Sequence, residues 1–215
     1  VNMSRTDSLT SGQIPVVVGV TGHADLPAQD LDALRRAVSD VLQEQVADKT
    51  PHSPHVLLST LAEGAERLAA QVALQAGWTL IVLLPMPAER CAQAIAAEAS
   101  RNEFEALLQE AAEVRVVPDA DTDALGSYSA VQQRLATQAL FLLALWDGKP
   151  AQDQFASENP DATASMVKMF RSAIPEPVLA GPSDNELSQA RMVLQVQTRR
   201  ALDVATQVGT PPHGL

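Results

Sequence analysis

Cysteine is all but missing from this chain of 215 residues, in which Cys91 stands alone. A single thiol excludes an internal disulfide and any multi-cysteine metal or redox centre, and it fits a reducing, cytoplasmic setting. Aromatic residues make up only 3%. The core must therefore be built from Ala, Val, Leu and Ile, which suits helices laid against a parallel sheet better than a β-sandwich. Long apolar runs are missing too. The longest, Ala139 to Trp146, falls far short of the roughly 20 residues that span a bilayer, and the polar stretch Val1 to Ile14 holds no signal-peptide core, so no membrane partner is expected. Basic residues are few and scattered, 15 Lys and Arg within a formal net charge of −11. Without a basic patch, neither nucleic acid nor anionic lipid is expected as a partner.

What remains is ample apolar material, 46% of the chain, in a length typical of one compact domain. One domain is expected over residues 1–215, with 1–14 disordered or foreign to the natural chain and 209–215 a flexible tail. Strands are expected at Pro15 to Val20, Val56 to Leu58, Thr79 to Leu84 and Ala139 to Trp146, with short ones at Val114 to Val117 and Pro177 to Leu179. Between them fall helical patterns. Leu31, Leu34, Val38, Val41, Leu42 and Val46 recur every three or four residues, as do Leu61, Ala65, Leu68, Val72 and Ala76. Further helices are expected from Pro87 to about Ala112, over Leu125 to Gln138, over Ala162 to Ser172, and finally over Leu187 to Val208 after a Ser183-x-x-Glu186 capping box. Alternation of strand and helix spells right-handed βαβ units. The fold class is thus α/β, a Rossmann-like parallel sheet of about five to seven strands with helices on both faces.

Such sheets bind ligands beyond the carboxyl ends of their strands, which directs attention to four segments. Gly19 to His23 offers Thr21, Gly22 and His23 on a tight turn whose exposed amides suit a phosphate or sugar hydroxyl; it reads equally as an ordinary strand-to-helix turn. Ser59 and Thr60 open a helix whose first N–H groups would make an anion site, and Gly64 would let a ligand approach. Glu63 is either a catalytic carboxylate or the far end of a Thr60-x-x-Glu63 capping box, while Glu66 and Arg67 read as a solvated face. Leu84 to Pro87 is at most pocket wall. Asp147 and Gly148 follow the most apolar strand, where the carboxylate would accept ribose hydroxyls or assist glycosidic cleavage, or else form an Asp-Gly turn. Glu63 and Asp147 are the catalytic candidates. The chain has no G-x-G-x-x-G fingerprint, no P-loop and no G-x-S-x-G elbow, which argues against dinucleotide enzymes of that kind, kinases and α/β-hydrolases. His52 and His55 are separated by a proline and read as a solvated loop, so no metal and no cofactor are expected.

In their joint order, Gly19-Val20-Thr21-Gly22-His23, Leu58 to Arg67, Leu83 to Pro85 and Leu145 to Pro150 resemble the SLOG superfamily. This is the Rossmann-like group that holds the DNA-processing protein DprA and the Lonely Guy phosphoribohydrolases. The likeness is strongest to a bacterial branch reading G-V-T-G-H-R, L-A-E-G-A-D-R and L-W-D-G-x-P. Here Ala24 stands for the usual Arg, Glu66 for Asp, and Asn159 to Ala164 for a Gly-Gly-Thr-Ala loop, of which Thr163 keeps a hydroxyl. The resemblance implies a domain that binds or senses a nucleotide or NAD-derived molecule, in a bacterial defence or signalling system, and that self-associates as a dimer. It places Thr21, Gly22, His23, Ser59, Glu63, Gly64, Asp147, Gly148 and Thr163 around the ligand. A phosphoribohydrolase acting on nucleoside 5′-monophosphates is the enzymatic alternative, disfavoured because the glycines and the helical Glu of those enzymes are missing. A domain that keeps the fold without binding is the third reading, with the last helix as an assembly surface.

Overall fold

The computed structural model describes residues 13–117, 124–149, 162–173 and 191–201. Six parallel strands form one sheet: β1 Val16–Gly22, β2 His55–Ser59, β3 Thr79–Leu84, β4 Glu113–Val116, β5 Phe141–Trp146 and β6 Met192–Gln197. Their order is β4-β3-β2-β1-β5-β6, with every neighbouring pair parallel. The helices between them are α1 Leu31–Asp40, α2 Ala65–Gln75, α3 Ala88–Ala94, α4 Glu98–Glu110, α5 Ala124–Gln138 and α6 Ala162–Ser172. The chain steps outward from β1 to β4, crosses back along α5, and adds β5 and β6 on the other side of β1. The direction of winding reverses between β1 and β5, the place where an α/β sheet opens a crevice.

The strands are nearly continuous runs of Val, Leu and Ile because helices cover both faces. Val16, Val18 and Val20 of β1, with Leu57, Leu80, Val82, Leu84, Leu143 and Leu145, pack under α1, α2 and α4. Val56, Leu58, Ile81, Leu83, Leu142, Ala144 and Trp146 point the other way, onto Val131, Leu135, Val167 and Phe170 of α5 and α6. Thus β3 is buried at all six positions. At one edge β4 reads Glu-Val-Arg-Val with both valines about 40% exposed, and Arg115 paired with Glu113 at 2.7 Å puts charge on that edge. Leu31 to Lys49 is one helical segment that loosens to π-helix over Val41–Val46 and tightens to a last 3-10 turn. The stretch after Pro87 is two helices, broken where Ile95 and Ala97 are extended. Among the described residues no helix is long and apolar enough to cross a membrane.

The largest departure from the sequence reading lies near the C-terminus. The helix expected over Leu187 to Val208 is contradicted by β6, which pairs with β5 along its whole length. Leu194, Val196 and Thr198 are buried while Gln195 and Gln197 face out, so a period of two governs in place of three-and-four spacing. The decisive partner is the open edge of β5, which supplies a ladder of backbone bonds. Arg191 anchors the strand: its guanidinium lies 4.1 Å from the Phe170 ring centroid and donates to the Ala173 carbonyl at 2.6 Å and to that of Ala136. Pro177 to Leu179, the Ser183-x-x-Glu186 box, the flexible tail expected at 209–215, and residues 1–12 of the N-terminal stretch 1–14 fall outside the described residues. The most apolar strand, β5, lies second from the β6 edge.

His55 is only partly solvated, against the reading of a solvated loop. Its ring stacks on Trp78 with centroids 4.9 Å apart, and Nε2 lies 2.9 Å from Thr50 Oγ1. Since that hydroxyl gives its proton to the Val46 carbonyl, Nε2 is the donor. Burial lowers the His55 pKa, and the backbone of Thr50, which accepts from the ring, only partly opposes this. The folded chain therefore favours neutral His55. Its contribution to stability is full above the unfolded value of about 6.5 and is lost as pH falls below it toward the lowered folded value. Urea unfolding of the native chain and of His55→Phe should diverge on acidification through that window, the native chain losing more; parallel curves would refute this.

Candidate functional site

The turn after β1 and the loop after β2 are locked together before either meets a ligand. The Ala65 amide donates to the His23 carbonyl at 3.0 Å, and the His23 amide donates to Leu145 at the end of β5 at 3.2 Å. Two glycines make the approach possible. A Cβ on Gly22 would lie 2.4 Å from the Ala65 Cβ, and one on Gly64, whose φ is +80°, would lie 2.3 Å from the Ala24 carbonyl oxygen. Gly64 therefore makes room for the backbone of His23 and Ala24.

The loop between Ser59 and Glu66 is organised by a residue that the sequence reading places on a solvated face. Glu66 is 7% exposed, and its Oε2 accepts four hydrogen bonds: from the Thr60 hydroxyl at 2.7 Å, the Thr60 amide at 2.9 Å, the Ser59 hydroxyl at 3.2 Å and the Ala62 amide at 3.4 Å. The expected capping partner of Thr60, Glu63, is exposed and takes no part. The helix starts only at Ala65, and Leu61 precedes it in a left-handed conformation, so the carboxylate three residues beyond Glu63 is the one that folds back. Burial pushes the Glu66 carboxyl up, with the donors from Thr60, Ala62 and Ser59 opposing. The anion site expected at Ser59 and Thr60 is thus already filled by a side chain of the protein.

Arg67 is buried as well, at 3% exposure, and ties α2 to α4. Its Nε donates to the Leu61 carbonyl at 3.0 Å, and one Nη donates to the Ser100 carbonyl and hydroxyl at 2.8 and 2.7 Å and to Glu103 at 3.3 Å. The adjacent charges Glu66 and Arg67 point to different neighbours, one toward the strand ends and one toward α4. Residues i and i+1 on a helix do not share a face.

Asp147 forms an Asp-Gly turn, the second of its two sequence readings. Its Oδ1 accepts the Lys149 amide at 3.1 Å, and Gly148 takes a φ of +79°. Burial acts to raise the Asp147 pKa, but the amide and ammonium of Lys149, the latter 3.1 Å from Oδ2, outweigh it and hold the carboxyl low. The Asp147 amide lies 3.3 Å from His23 Nε2, and Asp147 Oδ1 lies 3.6 Å from the same nitrogen. His23 is thereby fixed beside the end of β5.

A cleft of about 410 Å³ opens at the carboxyl end of β1, lined from one side by Thr21, Gly22, His23, Thr60, Glu63 and Glu66. Tyr128 of α5, Ala162 and Thr163 of α6, and Arg200 complete its wall. Of the residues singled out in the sequence, Thr21, Gly22, His23, Thr60, Glu63 and Thr163 meet here. Ser59, Gly64, Asp147 and Gly148 do not line it: Ser59 is fully buried behind Glu66, and the other three shape turns. Glu66, Tyr128 and Arg200 escape the sequence reading. For Glu66 a signal exists, a carboxylate six residues after the Ser-Thr pair at the end of an apolar strand; nothing local marks the other two.

No family model matches the chain, and no curated protein matches it in sequence. In structure it is similar to DNA processing protein A from Streptococcus pneumoniae, with 17% identity and a TM-score of 0.49 over 94% of this chain. This chain spans 63% of that protein's length. It is also similar to DNA processing protein A from Helicobacter pylori, with 14% identity and a TM-score of 0.48 over 95% of this chain and 76% of the other. The second structure is described by its single-stranded DNA binding mode, and this corrects the expectation that nucleic acid is no partner. Net charge sums over the whole chain, whereas contacts to nucleic acid are local, so −11 is no exclusion. The likeness is one of fold alone, a parallel α/β arrangement.

Proposed function

We propose that the cleft at the end of β1 binds a nucleotide or a nucleotide-derived small molecule. The observation that carries this reading is the cleft's position and make-up together. It opens where the winding of the sheet reverses, and it gathers Thr21, His23, Glu63 and Thr163 from three separate segments. Its volume of about 410 Å³ is in the range of small-molecule sites. Ala162 and Thr163 open an 11-residue helix whose N-terminal amides favour an anionic group, and Arg200 adds a cation to the same wall.

Thermal melting against AMP, ADP, ADP-ribose, cyclic ADP-ribose, NAD and ribose 5-phosphate tests the reading. A ligand at 100 times its dissociation constant adds about 2.7 kcal/mol, which raises the midpoint by several degrees in a chain of this size. The shift should vanish in Thr163→Val and Thr21→Val and persist in Asp147→Ala, which lies outside the cleft wall. A short single-stranded oligonucleotide titrated in parallel separates a mononucleotide site from a nucleic-acid interface. Product analysis with Glu63→Gln decides the hydrolase alternative, since of the two catalytic candidates Glu63 is the one in the cleft wall. No shift with any compound would sink the proposal.

A further inference from the structure

The donors gathered at the end of β2 have the form of an anion nest: two backbone amides and two hydroxyls converging on one point. In this chain that point is Glu66 Oε2. The second oxygen, Oε1, takes part in none of these bonds, has no other partner among the described residues, and belongs to a side chain that is 7% exposed and lines the cleft. A carboxylate held by one oxygen and open at the other does two things. It denies the nest to phosphate, by occupation and by charge. It also offers the ligand a charged acceptor with no competing donor from the described protein.

We propose that Glu66 sets the ligand chemistry of the cleft: the protein's own carboxylate replaces a phosphate at the end of β2, and its outward oxygen recognises a hydrogen-bond donor of the ligand. The inference rests on the reading of the cleft as a small-molecule site. It implies a ligand that lays a donor-bearing, uncharged part, a sugar hydroxyl or a base amino group, against β2 and turns its phosphate elsewhere.

The two halves are tested separately. Glu66→Ala empties the nest and leaves its donors in place. Inorganic phosphate and formate should then each raise the melting midpoint of this variant by several degrees, at concentrations that leave the native midpoint unchanged. If the variant does not fold unaided, the same anions should restore its folded circular dichroism. An equal response of variant and native chain, or no response from the variant, overturns the built-in anion.

Glu66→Gln keeps one oxygen for the four donors and presents an amide N–H to the cleft in place of an acceptor. AMP should bind this variant at least about tenfold more weakly than the native chain, the size expected for a lost hydrogen bond to a charged group. On the native chain, 2′,3′-dideoxy-AMP or IMP should show a similar loss that Glu66→Gln no longer distinguishes; the first places the donor on the sugar, the second on the base. Unchanged AMP affinity in Glu66→Gln overturns the recognition half. Failure of AMP to bind the native chain counts against the cleft as a nucleotide site, while the anion experiment, which needs no nucleotide, still decides whether Glu66 is the resident anion.

Discussion

Gly64→Ala should cost roughly 3 to 5 kcal/mol and lower the melting midpoint by about 10 °C or more. Two effects add. Gly64 sits at φ +80° and ψ −114°, a region that residues with a Cβ rarely enter. The new methyl would also stand 2.3 Å from the Ala24 carbonyl oxygen and 2.7 Å from that of His23, both backbone atoms that no rotamer change can move. Relief would have to separate the loop after β2 from the turn after β1, breaking the Ala65 to His23 hydrogen bond and opening the cleft wall. Gly77 supplies the control, because it has the same φ of +80° with nothing within 4 Å of the place its methyl would take. Gly77→Ala should therefore cost only about 1 kcal/mol, the conformational part alone. Equilibrium unfolding of both variants reads the difference. Equal losses would show that the close approach of the two loops adds nothing to the conformational cost.

Arg67→Ala should cost about 3 kcal/mol without touching the cleft. The substitution leaves the Leu61 carbonyl without its donor, removes two bonds to Ser100, and strips the apolar stem that packs between α2 and α4. The Phe104 ring, 5.6 Å from the guanidinium carbon, loses its cation. Glu103 suffers less, since its side chain is 41% exposed and water takes over. Arg67→Lys should recover only part, because an ammonium cannot reach Leu61 and Ser100 together in the geometry of a guanidinium fork. Hydrogen exchange should show α4 opening first, with the strand amides protected. A loss below about 1 kcal/mol, or uniform loss of protection, would return Arg67 to the role of a solvated charge.

Both residues lie in one decapeptide, Leu58 to Arg67, and they show where local reading stops. The turn glycine and the Ser-Thr pair are evident as features at a strand end. What they contact is not. Thr60-x-x-Glu63 satisfies the spacing of a capping box, yet Thr60 bonds to Glu66, because the left-handed Leu61 and the position of Gly64 delay the helix by a turn. A pattern of residue types states which bonds are available; the path of the backbone decides which carboxylate arrives. Asp147 teaches the converse lesson, since the modest reading of an Asp-Gly turn is the one that its contacts with Lys149 support.

Strand and helix order as far as α6, the parallel sheet and the covering of both faces were legible in the sequence, because they depend on apolar periodicity summed over many residues. Val16 to Gly22, Thr79 to Leu84 and Phe141 to Trp146 are too apolar and too short to be anything but buried strands between helices. The tertiary structure alone decided three things: that 192–197 is a strand, that Glu66 and Arg67 are buried, and that the cleft joins β1 to α5 and α6. The first and third depend on partners distant in sequence, the open edge of β5 and helices that follow Thr21 only after three and four further strands; Arg67 is held by Ser100 on α4, and Glu66 by donors four to seven residues before it that only the path of the loop turns toward it. Periodicity records which face of an element is apolar, but only the packed fold brings that face to its partner.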